Sequence, residues 1–293
     1  MNIEEKLSKE NKENYELYLK RMTESMKQST KGLVPFFARF SKCALDVGCG
    51  SGVMLQALLD NGIEKVIGID INREAIKKLK KLNNKRIELY ATGFEDCERL
   101  DIHPDAIIFS SVLHEISSYA KTDQQYTLDP IKDALSKAYN LLDKGGQIII
   151  RDCLMVPYEE RNKKIIIKFT NPEDANWLYR FKEEFKGFKP FDIDMNIQRI
   201  NRGYKISYAF LKEFLYTYTW GPESWNREIN ERVGIIDSNT WQELVKEAGF
   251  ELETFLLTQE DYQKYLDPKI KIEWANGKEF IYPYMNMIIV GKK

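Results

Sequence analysis

The sequence predicts an α/β fold with a doubly wound parallel sheet, and three observations support this prediction. Short apolar runs alternate with amphipathic stretches through the first half of the chain. The apolar runs are nearly continuous, as expected for parallel strands that helices cover on both faces. The stretch ALDVGCGSG, residues 44–52, places three glycines at every second position directly after the first apolar run. A strand, a glycine-rich turn and a helix in this order are typical of the start of such a sheet.

The predicted elements follow one another in a regular order. Residues 3–28 carry apolar side chains at spacings of three and four, which predicts an amphipathic helix that ends before Gly32 and Pro35. The predicted strands cover residues 43–48, 66–70, 86–91, 105–111 and 146–152. The predicted helices between them cover residues 53–59, a stretch with Ala75, Ile76, Leu79 and Leu82 on one face, and residues 129–142.

The end of the chain is predicted to continue the same domain. Ser238, Asn239 and Thr240 form a predicted helix N-cap, and the helix that follows ends at Gly249. Two further strands are predicted at residues 250–257 and 284–293. The segment before this helix is too long for a simple connection. It contains two predicted helical stretches, one that starts near residue 172 and one that covers residues 207–218. We therefore expect a helical extension at residues 1–40, a core at residues 41–153 and 237–293, and an insertion, residues 154–236, that covers a substrate site.

The composition excludes several classes of protein. The 44 Lys and Arg residues nearly balance the 45 Asp and Glu residues, so no global field attracts nucleic acid or an anionic membrane. No stretch approaches the ~20 apolar residues that a membrane span needs, and the N-terminus does not resemble a signal peptide, which together predict a cytoplasmic protein without membrane contact. The four cysteines contain no CxxC pair and the chain has two histidines, so we expect neither a metal site nor disulfides.

The glycine-rich turn predicts a ligand that approaches the backbone closely. Gly48, Gly50 and Gly52 form a GxGxG pattern, whereas the dinucleotide fingerprint GxGxxG would require glycine at Val53. A nicotinamide-dependent oxidoreductase is therefore disfavoured. Asp70 ends the second strand, where its carboxylate is placed to accept hydrogen bonds from two ribose hydroxyls.

These residues resemble the class I S-adenosylmethionine-dependent methyltransferases, in the motif D-V-G-C-G-S-G at residues 46–52 and in Asp70. The resemblance covers residues 43–152 and implies a Rossmann-like methyltransferase sheet with S-adenosyl-L-methionine as cofactor. It implies that the glycine turn packs against the methionine part of the cofactor and that Asp46 acts near its amino group. The acid that often follows strand three in this family is replaced by Gly93-Phe94, so Phe94 is expected to stack on adenine, with Glu95 or Asp96 reaching round. The cofactor-binding residues that this resemblance implies are Asp46, Gly48, Cys49, Gly50, Gly52, Asp70, Ile71, Phe94 and Ser110.

Candidate catalytic residues follow the fourth and fifth strands. Methyl transfer by in-line displacement needs mainly positioning of the acceptor, and a base only where the acceptor must lose a proton. The run FSSVLHEI places Ser111, His114 and Glu115 at the carboxyl edge of the sheet. His114 is either a general base near neutral pH or a helix-start histidine bonded to the backbone. Arg151 and Asp152 end the fifth strand and either orient a polar acceptor or form an internal ion pair. The candidate catalytic residues are His114, Glu115 and Arg151.

The sequence lacks two motifs, and their absence disfavours two classes of methyl acceptor. The resemblance implies an Asn- or Asp-Pro-Pro-aromatic run after strand four in enzymes that methylate DNA amines, and residues 109–112 read FSSV instead. Cytosine-carbon methylation needs a cysteine nucleophile, and none follows strand four. We expect a small or medium-sized acceptor methylated on O or N. An RNA or nucleotide methyltransferase and a non-catalytic cofactor-binding protein are the alternatives.

The aromatic and charged residues of the insertion are the main sequence evidence on the kind of methyl acceptor. Residues 154–236 hold 16 of the chain's 36 aromatic residues, with 14 basic against 12 acidic residues. These aromatics either stack RNA bases, wall a pocket for a small molecule, or form the insertion's own core. The basic run at residues 77–86 is interpreted as a solvated helix face. We also expect the insertion and the helix at residues 3–28 to close over the cofactor, and Tyr15 and Tyr18 either lie against the sulfonium or take part in ordinary helix packing.

Overall fold

The computed structural model describes residues 20, 21, 24, 29–187, 193–258 and 262–293. Most of the helix predicted at residues 3–28, with Tyr15 and Tyr18, lies outside the described residues. The strands are β1 Cys43–Val47, β2 Lys65–Ile69, β3 Ile87–Tyr90, β4 Ala106–Ser110, β5 Gln147–Cys153, β6 Lys164–Phe169, β7 Gln198–Ile200, β8 Gly203–Ser207, β9 Glu251–Thr258, β10 Ile270–Trp274 and β11 Asn286–Lys292. The α-helices are α1 Val34–Ala38, α2 Val53–Asp60, α3 Arg73–Lys80, α4 Leu113–Ser118, α5 Asp129–Leu141, α6 Ala175–Glu184, α7 Tyr208–Trp220, α8 Trp225–Glu228, α9 Ser238–Glu247 and α10 Tyr262–Leu266.

The main sheet has seven strands in the order β3-β2-β1-β4-β5-β11-β9. Strands β1 to β5 pair in parallel, whereas β11 is antiparallel to both of its neighbours. This topology confirms the predicted doubly wound, Rossmann-like sheet. The strand order reverses between β1 and β4, so their carboxyl ends open a crevice of the kind that holds ligands in such sheets.

Apolar side chains cover both faces of the main sheet, which is why its strands read as continuous apolar runs. Leu45 and Ile107 lie in one buried cluster with α5 and α9, and Ala44 and Ile108 lie in another with α2. Because successive residues of a strand point to opposite faces, each strand contributes to both clusters.

A second sheet lies in the insertion and is antiparallel, with the order β10-β6-β8-β7. It packs with α6 and α7 around a separate apolar cluster that includes Ile165, Phe181 and Phe214. The sequence predicted helices here and missed these strands. Residues 270–274, which the predicted division assigned to the core, form β10 and pair with β6 at the edge of this sheet.

Two local details differ from the sequence prediction. Leu82 was predicted on the buried face of α3, but the helix ends at Lys80 and Leu82 is 66% exposed. The chain turns away just after the helix, and Asn83 has a positive φ of 47°. The N-cap of α9 is Asp237, one residue before the predicted cap. Within the described ranges, no helix has the length and apolar character needed to cross a membrane.

Candidate active site at the carboxyl edge of the main sheet

The glycine turn after β1 requires glycine for its conformation and its contacts. Gly48, Gly50 and Gly52 have φ angles of +73°, +45° and +77°, a region that other residues adopt at a cost. A Cβ atom on Gly48 would lie 2.8 Å from Cγ2 of Val112, and one on Gly52 would lie 2.5 Å from Cδ2 of Leu79. The turn therefore presents bare backbone at the point where the strand order reverses.

Asp70 joins the end of β2 to this turn. Its Oδ2 accepts a hydrogen bond from the backbone N–H of Gly50 at 2.8 Å, and its Oδ1 accepts one from Asn72 at 2.8 Å. Burial raises the pKa of Asp70, and the two backbone donors oppose that shift. Each carboxylate oxygen keeps a second lone pair, which leaves capacity for the predicted ribose hydroxyls. Ile71 follows and is half-buried.

Two buried polar atoms beside the turn have no hydrogen-bond partner among the described residues: Oδ2 of Asp46 and Oγ of Ser110. Asp46 lies on β1 and Ser110 ends the neighbouring strand β4. Burial and the charge of Asp70 raise the pKa of Asp46 to about 8, although Lys31 opposes this shift. A buried polar atom without a partner costs ~1 to 3 kcal/mol, so a ligand that donates hydrogen bonds here would recover that free energy.

Lys31 is a site residue that the sequence prediction missed. It lies in the short 3₁₀ helix Thr30–Leu33 and is 7% exposed. Burial and the nearby Arg151 lower its pKa to about 8. A single lysine in a loop gives no sequence signal, because only the fold brings this loop to the carboxyl edge of the sheet.

Arg151 lies at that edge and bonds to hydroxyl groups. Its Nη1 donates to Oγ of Ser111 and its Nε donates to Oγ1 of Thr30 at 3.4 Å. Ser111 has a positive φ of 58°, an uncommon conformation for serine that this contact helps to hold. Asp152, the next residue of β5, lies on the other side of the strand, because successive strand residues point to opposite faces of a sheet.

Asp152 pairs instead with His114. Oδ1 of Asp152 lies 2.6 Å from Nδ1 of His114, and Oδ2 accepts hydrogen bonds from the backbone N–H groups of Leu113 and His114 at 3.1 and 3.3 Å. Both side chains are buried. Although burial favours the neutral ring, the carboxylates of Asp152, Glu115 and Glu231 raise the pKa of His114 to about 9. Asp152 therefore favours the protonated ring, and the role of His114 as a base stays a prediction.

Glu115 belongs to a charged cluster that reaches into the insertion. Nη2 of Arg227 lies 3.2 Å from Oε1 of Glu115, and Nε of Arg227 lies 3.0 Å from Oε1 of Glu231. The Tyr119 hydroxyl donates to the same Glu231 oxygen at 2.7 Å. Burial and Glu231 raise the pKa of Glu115 to about 7, against the effect of Arg227 and His114. The sequence prediction missed Arg227 and Glu231, because they are more than 100 residues from Glu115 and share no local motif with it.

The same cluster has the donor types of a metal site. Ligand atoms of His114, Glu115 and Glu231 lie within 4.8 Å of one another, a spacing that could hold a metal ion. The Arg227 guanidinium already bonds to both carboxylates and supplies positive charge at this point. Within the described part of the chain, the cluster is therefore an internal network of charges.

Two other predicted cofactor residues lie in the apolar interior. Phe94 is 4% exposed and packs edge-on against Phe109, with ring centroids 5.1 Å apart. Little of the Phe94 ring is therefore accessible in this structure, and its stacking on adenine stays a prediction. Cys49 is 5% exposed, and burial raises the pKa of its thiol, so it packs as a small apolar residue. All four cysteines are free thiols.

A cavity of about 390 Å³ lies at the opposite edge of the main sheet. Its lining includes Phe36, Arg39, Asp105 and Gln147, which stand at or before the amino ends of the strands. It is therefore remote from the glycine turn and from the charged cluster.

Comparisons with known proteins assign the family. A sequence model described as "Methyltransferase domain" matches residues 18–254. The chain therefore belongs to this family of S-adenosylmethionine-dependent methyltransferases. The tRNA U34 carboxymethyltransferase of Mannheimia succiniciproducens is 30% identical over 168 residues, which are 52% of this chain and 47% of that protein. The chain thus spans about half the length of this relative.

Two solved structures share the fold. Human N-acetylserotonin methyltransferase in complex with S-adenosylmethionine superposes with a TM-score of 0.51 and 15% identity, over 96% of this chain and 56% of that chain. An O-methyltransferase family protein from Burkholderia thailandensis gives a TM-score of 0.51 and 11% identity, over 95% of this chain and 59% of that chain. At these identities, the likeness shows the fold alone.

S-adenosylmethionine is the cofactor of this family, and the described residues fit it. The turn at residues 48–52 has no side chain at its three glycines, as close approach of a ligand requires. Oδ2 of Asp46 is a buried acceptor that lacks a donor, which suits an ammonium group. Asp70 is placed to receive hydroxyl groups.

Proposed function

We propose that this protein transfers a methyl group from S-adenosylmethionine to an oxygen or nitrogen atom of a small or medium-sized acceptor. The observation that carries the proposal is Glu115, whose side chain is 27% exposed although its cluster partners Arg227 and Glu231 are 11% and 3% exposed. A pKa of about 7 suits this carboxyl group to accept a proton near neutral pH. We place the acceptor at the carboxyl edge of the main sheet, between Glu115 and the insertion.

The residues of the site have separate roles in this proposal. Gly48, Gly50, Asp46 and Asp70 hold the cofactor, which when bound supplies a methyl group activated by its sulfonium. Glu115 accepts the proton that an amine or hydroxyl acceptor must lose. His114, held as an imidazolium by Asp152, positions the start of α4 and donates rather than accepts hydrogen bonds. Arg151 orients the turn after β4 through Ser111.

The packing of the insertion supports a small acceptor over RNA. Nine of its described aromatic residues are buried, and they are Phe169, Phe181, Phe185, Tyr208, Phe210, Phe214, Tyr216, Tyr218 and Trp225. Most of them lie in the insertion's own apolar cluster, so they are not a platform for bases. Tyr158 and Tyr179 are exposed, at 67% and 39%. Tyr179 packs edge-on against Tyr204, with ring centroids 5.9 Å apart, so the exposed aromatic surface of the insertion's described residues is small.

An RNA acceptor is the second candidate, and the relative that acts on tRNA is the observation that favours it. The lysines at 77, 78 and 80 are exposed on α3, as expected for a solvated face, and they could also contact phosphate. A salt-dependent gel shift with total tRNA tests this candidate directly.

The proposal is tested by isotope transfer from methyl-labelled S-adenosylmethionine to a panel of phenols, amines and amino acids, with total tRNA in parallel. We expect label in the small-molecule panel, at a rate that rises with pH through about 7 as Glu115 ionises. Glu115→Gln should lower turnover by about 100-fold, because the proton acceptor is lost. The exposed Glu243→Gln, on α9, is the matched control and should retain the wild-type rate.

Three results would contradict the proposal. Label found only in tRNA would establish the second candidate. Binding of S-adenosylhomocysteine without transfer to any acceptor would favour a non-catalytic cofactor-binding protein. Unchanged turnover in Glu115→Gln would remove Glu115 from the reaction.

A further inference from the structure

Arg227 is the residue through which the insertion reaches the reaction centre. It lies on α8 and its side chain is 11% exposed. Its guanidinium bonds to a carboxylate of the core, Glu115 on α4, and to a carboxylate of the insertion, Glu231. One planar group thus fixes two carboxylates that come from different parts of the chain.

The surrounding contacts hold this part of the insertion against the core. The Tyr126 hydroxyl donates to the carbonyl of Asn230 at 3.0 Å, and the backbone N–H of Arg232 donates to Oγ of Ser118 at 2.8 Å. The Tyr119 hydroxyl donates to Glu231. Residues 227–232 are therefore docked on α4 and on the loop that follows it.

We propose that Arg227 is a positioning residue that fixes the Glu115 carboxylate beside the cofactor site, so that Glu115 works only while the insertion is docked. This inference rests on the proposed role of Glu115. It adds a residue of the insertion to the reaction centre, where the fold alone would supply only core residues. It also gives the insertion a role beyond covering the site.

The charges around Glu115 determine in which direction each substitution moves its pKa. Burial raises the pKa of Glu115 most, Glu231 and Asp70 raise it further, and Arg227 and His114 lower it. Arg227 also lowers the pKa of Asp70, the proposed ribose-binding residue, which places its charge near the cofactor site. Within the described ranges, Lys31, Tyr119 and Glu228 also interact electrostatically with Glu115.

The test uses the difference in affinity between S-adenosylmethionine and S-adenosylhomocysteine, measured by calorimetry on the full chain from pH 5.5 to 8.5. The first ligand carries a sulfonium charge that the second lacks, so an ionised carboxylate nearby favours the first. We expect this preference to rise about threefold to tenfold with increasing pH, around the pKa of Glu115. We call this rise in preference the pH step. Glu115→Gln should abolish the step, and the difference from wild type then gives the part of the pH dependence that Glu115 causes.

Variants at the two partners of Glu115 should move the step in opposite directions. Arg227→Met removes a cation that stabilises the carboxylate, so the midpoint should move to higher pH. Glu231→Gln removes a carboxylate that repels it, so the midpoint should move to lower pH. Arg227→Lys keeps the charge and should restore most of the wild-type midpoint. Arg202→Met is the matched control, because Arg202 pairs with Glu273 of β10, and it should leave the midpoint unchanged.

The outcomes separate this inference from the proposed function. A wild-type protein without a Glu115-dependent step contradicts the placement of Glu115 and therefore the proposed function. A step whose midpoint stays in place or moves to lower pH in Arg227→Met overturns the role of Arg227, whatever Glu231→Gln does. If Arg227→Met does not fold, Arg227→Gln, which keeps a hydrogen-bond donor but removes the charge, gives the same test with the same two outcomes.

Discussion

Asp46 is 2% exposed on β1, and its Oδ2 atom lacks a partner in the described part of the chain. An ordinary aspartate is ionised above pH 4, whereas burial and Asp70 raise the pKa of Asp46 to about 8. Between pH 3.8 and about 8, Asp46 therefore keeps a proton in the folded protein that it releases in the unfolded chain. A residue of this kind lowers the stability of the free protein and gains its partner only when a ligand binds.

We predict that Asp46→Asn stabilises the ligand-free protein at pH 8 and weakens ligand binding. Because the pKa is raised in the folded state, the stability contribution of Asp46 is fully present below pH 3.8 and is lost as pH rises through about 8. The variant does not titrate, so its melting temperature should exceed the wild-type value increasingly between pH 4 and pH 8. Its affinity for S-adenosylhomocysteine should fall about tenfold or more, since a charge-assisted hydrogen bond is lost.

Thermal unfolding at several pH values and calorimetry check the two halves of this prediction. The exposed Asp133→Asn, on α5, is the matched control and should follow the wild-type pH dependence. A constant difference in melting temperature between Asp46→Asn and wild type across this range would show that Asp46 does not hold the extra proton.

At the scale of single elements, α9 shows how a side chain fixes where a helix begins. Oδ1 of Asp237 accepts hydrogen bonds from the backbone N–H groups of Asn239 and Thr240 at 3.1 and 3.0 Å. These are two of the N–H groups that the first turn of a helix leaves without partners. Ser238, the first residue of the predicted cap, is already the first helical residue.

We predict that Asp237→Ala lowers the free energy of unfolding by ~0.5 to 2 kcal/mol, the usual cost of removing an N-cap. Ser238→Ala should change it by ~0.5 kcal/mol or less, because that side chain is not the cap. Asp237→Ser should recover most of the loss and also separates capping from the contact of Asp237 with Arg161, whose Nη2 lies 3.8 Å away. Denaturant unfolding of the three variants checks this. If Ser238→Ala lowered the free energy of unfolding more than Asp237→Ala does, Ser238 would be the N-cap, as the sequence predicted.

At the scale of the whole molecule, the core and the insertion have separate apolar clusters and share a smaller one. Two clusters line the faces of the main sheet, a third fills the insertion, and a fourth joins Cys153 and Met285 of the core to Tyr216 and Val233 of the insertion. Polar contacts of residues 227–232 with α4 and the residue after it also connect the insertion to the core near the candidate site. Contacts of this type open more easily than an apolar core, so ligand binding can act on them.

We predict that S-adenosylhomocysteine slows hydrogen exchange in residues 48–52 and 70–72 and also in residues 225–236. The first two ranges would contact the ligand, and the third is docked on α4 beside it. Residues 198–205, at the far edge of the small sheet, are the internal control and should exchange at the same rate with and without ligand. Mass spectrometry of the exchanged protein gives the result. Protection limited to the first two ranges would show that the insertion does not close on the cofactor.

The sequence by itself determined the features that depend on short-range pattern. Continuous apolar runs and helical spacing predicted β1 to β5 and their helices, because burial on two faces requires those patterns. The glycines at 48, 50 and 52, with Asp46 and Asp70, predicted the cofactor site, because a close ligand requires a bare turn followed by an acid at the next strand end. The strands of the insertion were missed, since their apolar residues were equally compatible with the helices that surround them.

Only the tertiary structure decided which groups meet at the candidate site and in which direction their pKa values are shifted. Arg227 and Glu231 reach Glu115 across more than 100 residues, and β10 leaves the core to pair with β6. Although burial alone would lower the pKa of His114, the pairing with Asp152 raises it above that of an isolated histidine. A side chain's pKa and partners depend on burial and on charges within a few ångströms, and those distances are set by packing between elements that local sequence does not specify.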